Sequence, residues 1–405
     1  MKNHSLLAIL IVGFTALLFF AAACGGGGGG SDRNSDDDQD DDAIVDDDTG
    51  GNNDDDDSGA DDDSSADDDT ATDDDLTPDY HELAAAGQIW EMVHAVSGPE
   101  IYCADAKNNE VAVLDTAQRQ VTDRMTVGSG PLDLDLNPAG DRLWVATSGA
   151  TAVTYVDLGV KSTGTVSLNH QPVAVAVGGN GKVYLVSNEG TIEIVNEAAQ
   201  TYITEVNWGL DGIIAPAFIE INRDAEQGYI ANAGISPSSI QKFDLSTDDL
   251  TILEISEFGS LGSNGMSLTL APDGQTIVFP CGSGNGNGYT AFLIDALDFS
   301  NILGEFDIGT YPKYMEYDPQ SVFMAGINGD WYDERLYVMN PETFQPFQVI
   351  DMTNWINHAD QNPPVDQDMM LLRANADGSV LVLYAEDTYN DLNGRFYLIN
   401  RADLM

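Results

Sequence analysis

The chain has 405 residues, with 68 acidic side chains against 15 basic ones, so its formal net charge at pH 7 is −53. A surface of that sign repels phosphate backbones, which argues against nucleic acid as a partner and leaves cations or basic proteins as better matches. The three cysteines form no Cys-x-x-Cys-His haem signature and no Cys/His zinc spacing.

The first 24 residues have the organisation of an export signal. Lys2 precedes an apolar run from Leu6 to Ala23, and three alanines stand directly before Cys24. This end resembles the bacterial lipobox, with Ala21 where a Leu is usual. The resemblance implies that the Cys24 thiol is acylated before cleavage and that the protein is membrane-anchored. Gly25, in place of an Asp, favours the outer membrane. An uncleaved leader would instead act as a membrane anchor with the same topology.

Residues 25–78 are predicted to be a disordered tether. The first 78 residues contain 23 of the Asp residues, and the run Gly25 to Gly30 precedes them. Like charges repel, and a segment with almost no aromatics cannot build a core. A flexible chain of this length averages about 40 Å end to end, enough to lift a domain off a membrane. The alternative is that the segment binds calcium with low affinity. Carboxylate oxygens are suitable calcium ligands, but a flexible chain has no preformed coordination site.

Residues 79–405 contain a repeat of an apolar strand that ends in Asp or Asn. The side chain at this position can bond the following backbone and start a turn. Spacings of 42, 39, 48, 51, 45 and 60 residues, with four strands in each unit, are typical of a β-propeller. The seven anchors are Asp115, Asp157, Asn196, Asp244, Asp295, Asn340 and Asn400.

A second set of seven turns lies between alternating strands, and it resembles a known family in the stretch 108–148. The family is the YVTN-type β-propeller repeat, in which a strand ends in Val-Gly-x-x-Pro and a later turn reads Asn-Pro-x-Gly. The matching residues are Val127, Gly128, Pro131, Asn137, Pro138 and Gly140. The resemblance implies a fold and no particular function, because propellers perform many kinds of chemistry. The predicted fold class is therefore all-β, a seven-bladed β-propeller.

The resemblance also assigns the innermost strand of every blade. The last blade runs out of chain after Asn400, so its outer strand is predicted to come from residues near 79–88 and to close the ring. Cys103 and Cys281 fall on equivalent second strands of blades 1 and 5, too far apart for a disulfide, and are predicted to be free, buried thiols. The predicted inner strands are Glu91–Val96, Leu132–Leu136, Val173–Val177, Ala217–Ile221, Met266–Leu270, Lys313–Tyr317 and Met369–Arg373.

Long connections in blades 4 to 7 carry the candidate binding residues. In a propeller, the loops between blades share one face with the loops between second and third strands, and binding residues commonly lie on such loops. Tryptophans with carboxylates and one imidazole could hold a sugar, a cation or a basic peptide. Rim packing and solvation would also account for these residue types. The candidates are Trp208, Asp211, Trp331, Asp333, Trp355, His358, Asp360 and Asp387.

Two functions remain from the sequence. The first is a cell-envelope lipoprotein that binds an envelope protein, a carbohydrate or a cation through its loop-rich face. The second is a metal-assisted hydrolase of the lactonase-like kind, as in related propellers, with carboxylates holding a divalent ion at the channel mouth. No Gly-x-Ser-x-Gly elbow and no His-Glu-x-x-His occurs, so the first is favoured. No cofactor is predicted, and calcium is left open.

Overall fold

The computed structural model describes residues 79–85, 87–207, 217–224, 226–232, 237–256, 261–283, 290–329, 334–356, 368–386 and 394–405. Within these residues the strands form seven antiparallel sheets, each of which is one blade of a β-propeller. The predicted fold class is confirmed. Among the described residues, helix is limited to α1 (Thr353–Ile356) and a 3-10 turn at Arg401–Asp403, and no helix is long and apolar enough to cross a membrane.

Blades 1 to 3 have four strands each, in the order inner to outer. They are β2 (Ile89–His94), β3 (Glu100–Asp105), β4 (Glu110–Asp115) and β5 (Gln120–Thr126); β6 (Pro131–Leu136), β7 (Arg142–Thr147), β8 (Ala152–Asp157) and β9 (Ser162–Ser167); β10 (Pro172–Val177), β11 (Lys182–Ser187), β12 (Thr191–Asn196) and β13 (Thr201–Asn207).

Blades 4 to 6 follow the same plan, except that the inner strand of blade 5 is in two pieces. They are β14 (Ala217–Asn222), β15 (Gln227–Asn232), β16 (Ser239–Asp244) and β17 (Ile252–Ile255); β18 (Ser263–Gly265) with β19 (Thr269–Leu270), β20 (Thr276–Ser283), β21 (Thr290–Asp295) and β22 (Ile302–Phe306); β23 (Pro312–Tyr317), β24 (Met324–Asn328), β25 (Arg335–Met339) and β26 (Pro346–Asp351).

Blade 7 is built from both ends of the domain. Its inner strands are β27 (Asp368–Ala374), β28 (Val380–Glu386) and β29 (Gly394–Asn400), and its outer strand is β1 (Tyr80–Ala84). β1 pairs with β29 from Tyr80↔Ile399 to Ala84↔Arg395. The predicted closure is confirmed, and it covers an edge that would otherwise expose unpaired backbone groups.

Five of the seven Asp and Asn anchors start a turn through a local hydrogen bond. The Asp115 carboxylate accepts hydrogen bonds from the backbone N–H groups of Ala117 and Gln118, at 2.9 and 2.8 Å. Asp244 and Asp295 accept in the same way from the residue two positions later, both at 2.8 Å. These local bonds explain why the repeat keeps a short oxygen-bearing side chain at this position.

The inner strand of blade 5 differs from its prediction as Met266–Leu270. β18 and β19 both pair with β20, but Met266, Ser267 and Leu268 lie outside strands. The cause is Pro280 on β20: its carbonyl accepts from the Met266 N–H at 3.1 Å, whereas a proline has no N–H to return. The ladder is therefore interrupted opposite this residue. The other six inner strands are found within two residues of their predicted bounds.

The hydrophobic core is divided among the seams between blades. One apolar cluster joins blades 1 and 2 through Val111 and Leu134, and the largest joins blades 6, 7 and 1. Inner strands of neighbouring blades also contact each other, including β27 with β2, which closes the ring. Cys103 on β3 and Cys281 on β20 are free and fully buried, so the thiol prediction is confirmed.

Candidate functional site

The predicted binding residues lie almost entirely outside the described residues. Trp355 is in α1, where its backbone but not its side chain is described. Cys24, the predicted lipidation site, also lies outside the described residues. The remaining seven outside the described residues are Trp208, Asp211, Trp331, Asp333, His358, Asp360 and Asp387.

The described strands nevertheless fix the face from which these segments leave. Because strands within a blade alternate in direction, second-to-third connections and blade-to-blade connections begin and end at one face. We call it the loop-rich face, and the opposite one the tight-turn face. In blades 1 to 3 the connections on the loop-rich face are short, as in 106–109, 127–130 and 148–151.

From blade 4 onward the connections on the loop-rich face lengthen. Sixteen residues, 352–367, separate β26 from β27, and nine, 208–216, separate β13 from β14. On the tight-turn face the first and second strands stay close in every blade, as at 137–141 in blade 2 and 375–379 in blade 7. The turn of blade 7 also packs closely on blade 6, because a Cβ at Gly378 (φ +65°) would clash with the Asp318 carboxylate.

Charged side chains and one tyrosine occupy the innermost strands. These residues were not predicted as a site from the sequence. Each lies within a strand, between one and three residues before its last residue, and none belongs to a loop. We call this set the channel cluster. It consists of Glu91, Asp133, Asp135, Glu220, Tyr314, Glu316 and Arg373.

Arg373 on β27 is the centre of the channel cluster. Its Nη1 donates to both oxygens of Glu316 at 3.1 Å, and its Nη2 donates to Glu91 Oε1 at 2.9 Å and to the Tyr314 hydroxyl at 2.8 Å. Tyr314 in turn donates to Glu91 Oε1 at 3.1 Å. One guanidinium therefore ties blade 7 to blades 6 and 1 through bonds that are stronger because they carry charge.

The opposite side of the channel is held by a second arginine. Arg223 leaves the tight turn of blade 4 and donates to Asp135 of blade 2 at 3.1 Å and to the backbone carbonyl of Val177 in blade 3 at 2.9 Å. Asp133 and Asp135 also accept from the N–H groups of Val175 and Val177, both at 2.7 Å. These carboxylates therefore pair the inner edges of neighbouring blades, where no sheet ladder exists.

Burial shifts the titration of these carboxyls toward the neutral form. Desolvation raises the pKa of Glu316 to about 7, with Arg373 opposing the shift. Desolvation also raises the pKa of Asp133, Asp135 and Glu220. For Glu220 the cation Arg373 again opposes the shift, whereas the neighbouring carboxylates add to it. The five carboxyls of the cluster therefore outnumber the two arginines that contact it, Arg373 and Arg223.

The hydrolase alternative requires carboxylates that point into the channel and can hold a metal ion. In the part of the chain that the structure describes, no group of three or more His, Cys, Asp or Glu side chains is arranged to hold one. Glu316 and Glu91 are engaged by Arg373, and Asp135 by Arg223. Three of the five channel carboxyls thus bind cationic groups of the protein itself.

A signal for the channel cluster was present in the sequence. Leu132-Asp133-Leu134-Asp135-Leu136 alternates leucine with carboxylate along a predicted inner strand. Alternation places the carboxylates on one face of that strand and the leucines on the other. The second face packs in the core, since Leu134 and Leu136 are buried.

No family model matches the chain, and no curated protein matches it. Among solved structures, the chain is similar to Kuenenia stuttgartiensis hydrazine synthase, with a TM-score of 0.58 and 14% sequence identity, over 78% of this chain and 96% of that one. At this identity the likeness concerns the fold, and it agrees with the seven-bladed β-propeller seen here.

Proposed function

We propose that the protein is an exported lipoprotein, anchored in the outer membrane through Cys24 and a flexible acidic tether, whose propeller binds a cationic or basic partner through its loop-rich face. The observation that carries the proposal is the common face of the lengthened connections. Insertions scattered at random over a propeller would fall on both faces. Here the two longest connections, 208–216 and 352–367, both lie on the loop-rich face, whereas no connection between described strands on the opposite face exceeds the seven residues of 245–251.

The composition of those connections supports a ligand-binding role. They contain three of the five tryptophans, together with Asp211, Asp333 and Asp360. Aromatic rings offer a large contact area at a small entropic cost, and carboxylates orient a cationic ligand. A net charge of −53 draws basic partners toward the domain before contact is made. An envelope protein, a carbohydrate with cationic groups or calcium would satisfy this chemistry.

Site-specific photo-crosslinking in the producing cells tests the face. A benzoylphenylalanine at position 331 or 355 reports on the loop-rich face, and one at the exposed Gln118 or Gln320 reports on the tight-turn face. We expect adducts from the first pair only. Equal adducts from both faces, or adducts from the tight-turn face alone, would refute the proposal.

Alanine variants then measure the contribution of the tryptophans. Trp331→Ala and Trp355→Ala should each weaken binding of the crosslinked partner by about 1–3 kcal/mol, because aromatic anchors dominate interfaces. The melting temperature should barely change, which is the control for folding. A loss of melting temperature with no separate loss of affinity would show that these rings pack the fold instead.

A further inference from the structure

The outer strands of blades 3 to 6 share a structural device that leaves apolar side chains exposed. In each, the register with the third strand shifts by one residue, so that one residue of the outer strand has no partner. Such a β-bulge turns its extra residue out of the regular ladder. The four unpaired residues are Ile203, Leu253, Leu303 and Phe347.

These four side chains are exposed by 36%, 47%, 43% and 49%, and Ile255 and Val349 beside them are exposed as well. We call the six residues the apolar belt. Blade 1 has the same bulge, but its unpaired residue is Thr122. A bulge therefore does not require an apolar residue. The exposed apolar residues at the bulges of four consecutive blades indicate a surface that another molecule covers.

Side chains bridge two of the seams under the belt, those between blades 4 and 5 and between blades 5 and 6. Lys242 Nζ of blade 4 binds Glu254 at 2.6 Å and the Leu297 carbonyl of blade 5 at 2.7 Å. Phe344 of blade 6 stacks on Phe306 of blade 5, with ring centroids 6.2 Å apart. The belt is thus a preformed surface, which lowers the entropic cost of docking.

The charges around the belt identify its partner. In the described segments 237–256, 290–308 and 334–351, the basic residues are Lys242, which is buried and paired, and Arg335, which is half-buried. Every fully exposed charge in these segments is acidic. The acidic residues concerned are Asp248, Asp249, Asp298, Glu305, Asp307, Glu342 and Asp351.

We propose that the apolar belt is a docking surface for a basic amphipathic segment of another protein. Its apolar residues cover the belt and its Lys and Arg side chains meet the acidic fringe. A second copy of this chain would bring one acidic fringe against another, and an anionic bilayer would be repelled. The bulges interrupt the outer edges, which disfavours docking by strand addition. This surface is separate from the loop-rich face, so the inference extends beyond the proposed function.

The test uses the full chain in detergent and a synthetic Leu/Lys peptide of about five helical turns. One isomer places its leucines on one helical face, and a second has the same composition in scrambled order. High salt screens the attraction of either isomer to the Asp-rich segment and to the acidic fringe alike, so the two isomers then differ in their apolar match to the belt. The variant combines Leu253→Gln, Leu303→Gln and Phe347→Gln, and the matched control is Thr122→Gln at the equivalent bulge of blade 1.

We expect the amphipathic isomer to bind the native chain and the Thr122 control equally, and the combined variant at least tenfold more weakly. The scrambled isomer should bind all three alike and weakly. Equal affinity of the native chain and the combined variant would overturn the proposal. So would a dimer in sedimentation that only the combined variant loses, because it would assign the belt to a second copy. Quenching by brominated lipid of a fluorophore at position 253 but not at 122 would assign it to the bilayer instead.

Discussion

Replacing Arg373 by methionine tests the channel cluster most directly. The substitution keeps the length of the side chain but removes four hydrogen bonds, two to Glu316 and one each to Glu91 and Tyr314. It leaves Glu316, which is 4% exposed, without its counterion. Removing one partner of a buried ion pair costs about 3–5 kcal/mol, because the remaining charge is uncompensated. We therefore expect the free energy of unfolding to fall by about that amount at pH 8.

The cost should depend on pH with a definite sign. Burial raises the pKa of Glu316 to about 7, above its ordinary value in an unfolded chain. Protonation therefore favours the folded state: this contribution to stability is fully present below the unfolded pKa and is lost as the pH rises through about 7. Loss of Arg373 raises this pKa further, since the cation opposed the shift. The destabilisation should thus be smaller at pH 5 than at pH 8.

Chemical denaturation followed by circular dichroism at the two pH values measures both effects. Adding Glu316→Gln to Arg373→Met should recover part of the loss at pH 8, because a neutral amide needs no counterion. Lys161→Met is the control, since Lys161 pairs with Asp123 on the surface and such pairs contribute about 0–1 kcal/mol. An Arg373→Met protein as stable as the native one at pH 8, or a loss independent of pH, would refute this account of the cluster.

Three further predictions concern other parts of the chain. Cys24→Ser should abolish labelling by a fatty-acid analogue and leave the precursor uncleaved; normal labelling would refute the lipid-anchor hypothesis. Deleting 79–84 should lower the denaturation midpoint, because β29 loses its partner strand, whereas deleting 31–75 should leave it unchanged; similar effects from both deletions would contradict the closure. Cys103 and Cys281 should not react with a thiol reagent until the protein unfolds, because burial raises their pKa and excludes the reagent; reaction in the native state would show that the seams open.

Much of the fold could be predicted because the same pattern of strands and turns recurs seven times in the sequence. Five of the seven Asp and Asn anchors accept a hydrogen bond from a backbone N–H two or three residues later, so these turns follow from chemistry within a few residues. Closure by β1 could be predicted as well, because an open edge on the last blade would leave unpaired backbone groups. The break in the inner strand of blade 5 was missed although its cause, Pro280, is visible in the sequence.

The channel cluster is of a different kind, because ring closure creates it. Glu91 and Arg373 are 282 positions apart, and only the joining of blade 7 to blade 1 brings them together. Sequence alternation places Asp133 and Asp135 on one face of a strand, but it does not name the cation that meets Asp135. That cation, Arg223, comes from a turn two blades away. The tryptophan-bearing connections, by contrast, were predicted as a binding site because their composition is unusual within the chain.

The scarcity of basic residues gives the charge of the propeller a structural origin. Most described cations bridge two blades: Arg142 reaches Glu197, Lys182 reaches Asp248, and Arg373 reaches Glu91. Lys242 and Arg223 do the same through backbone carbonyls. Because the few cations are committed to the seams, the acidic side chains that remain outside are not neutralised. The field around the domain is therefore negative, and it favours cationic partners at both the loop-rich face and the apolar belt.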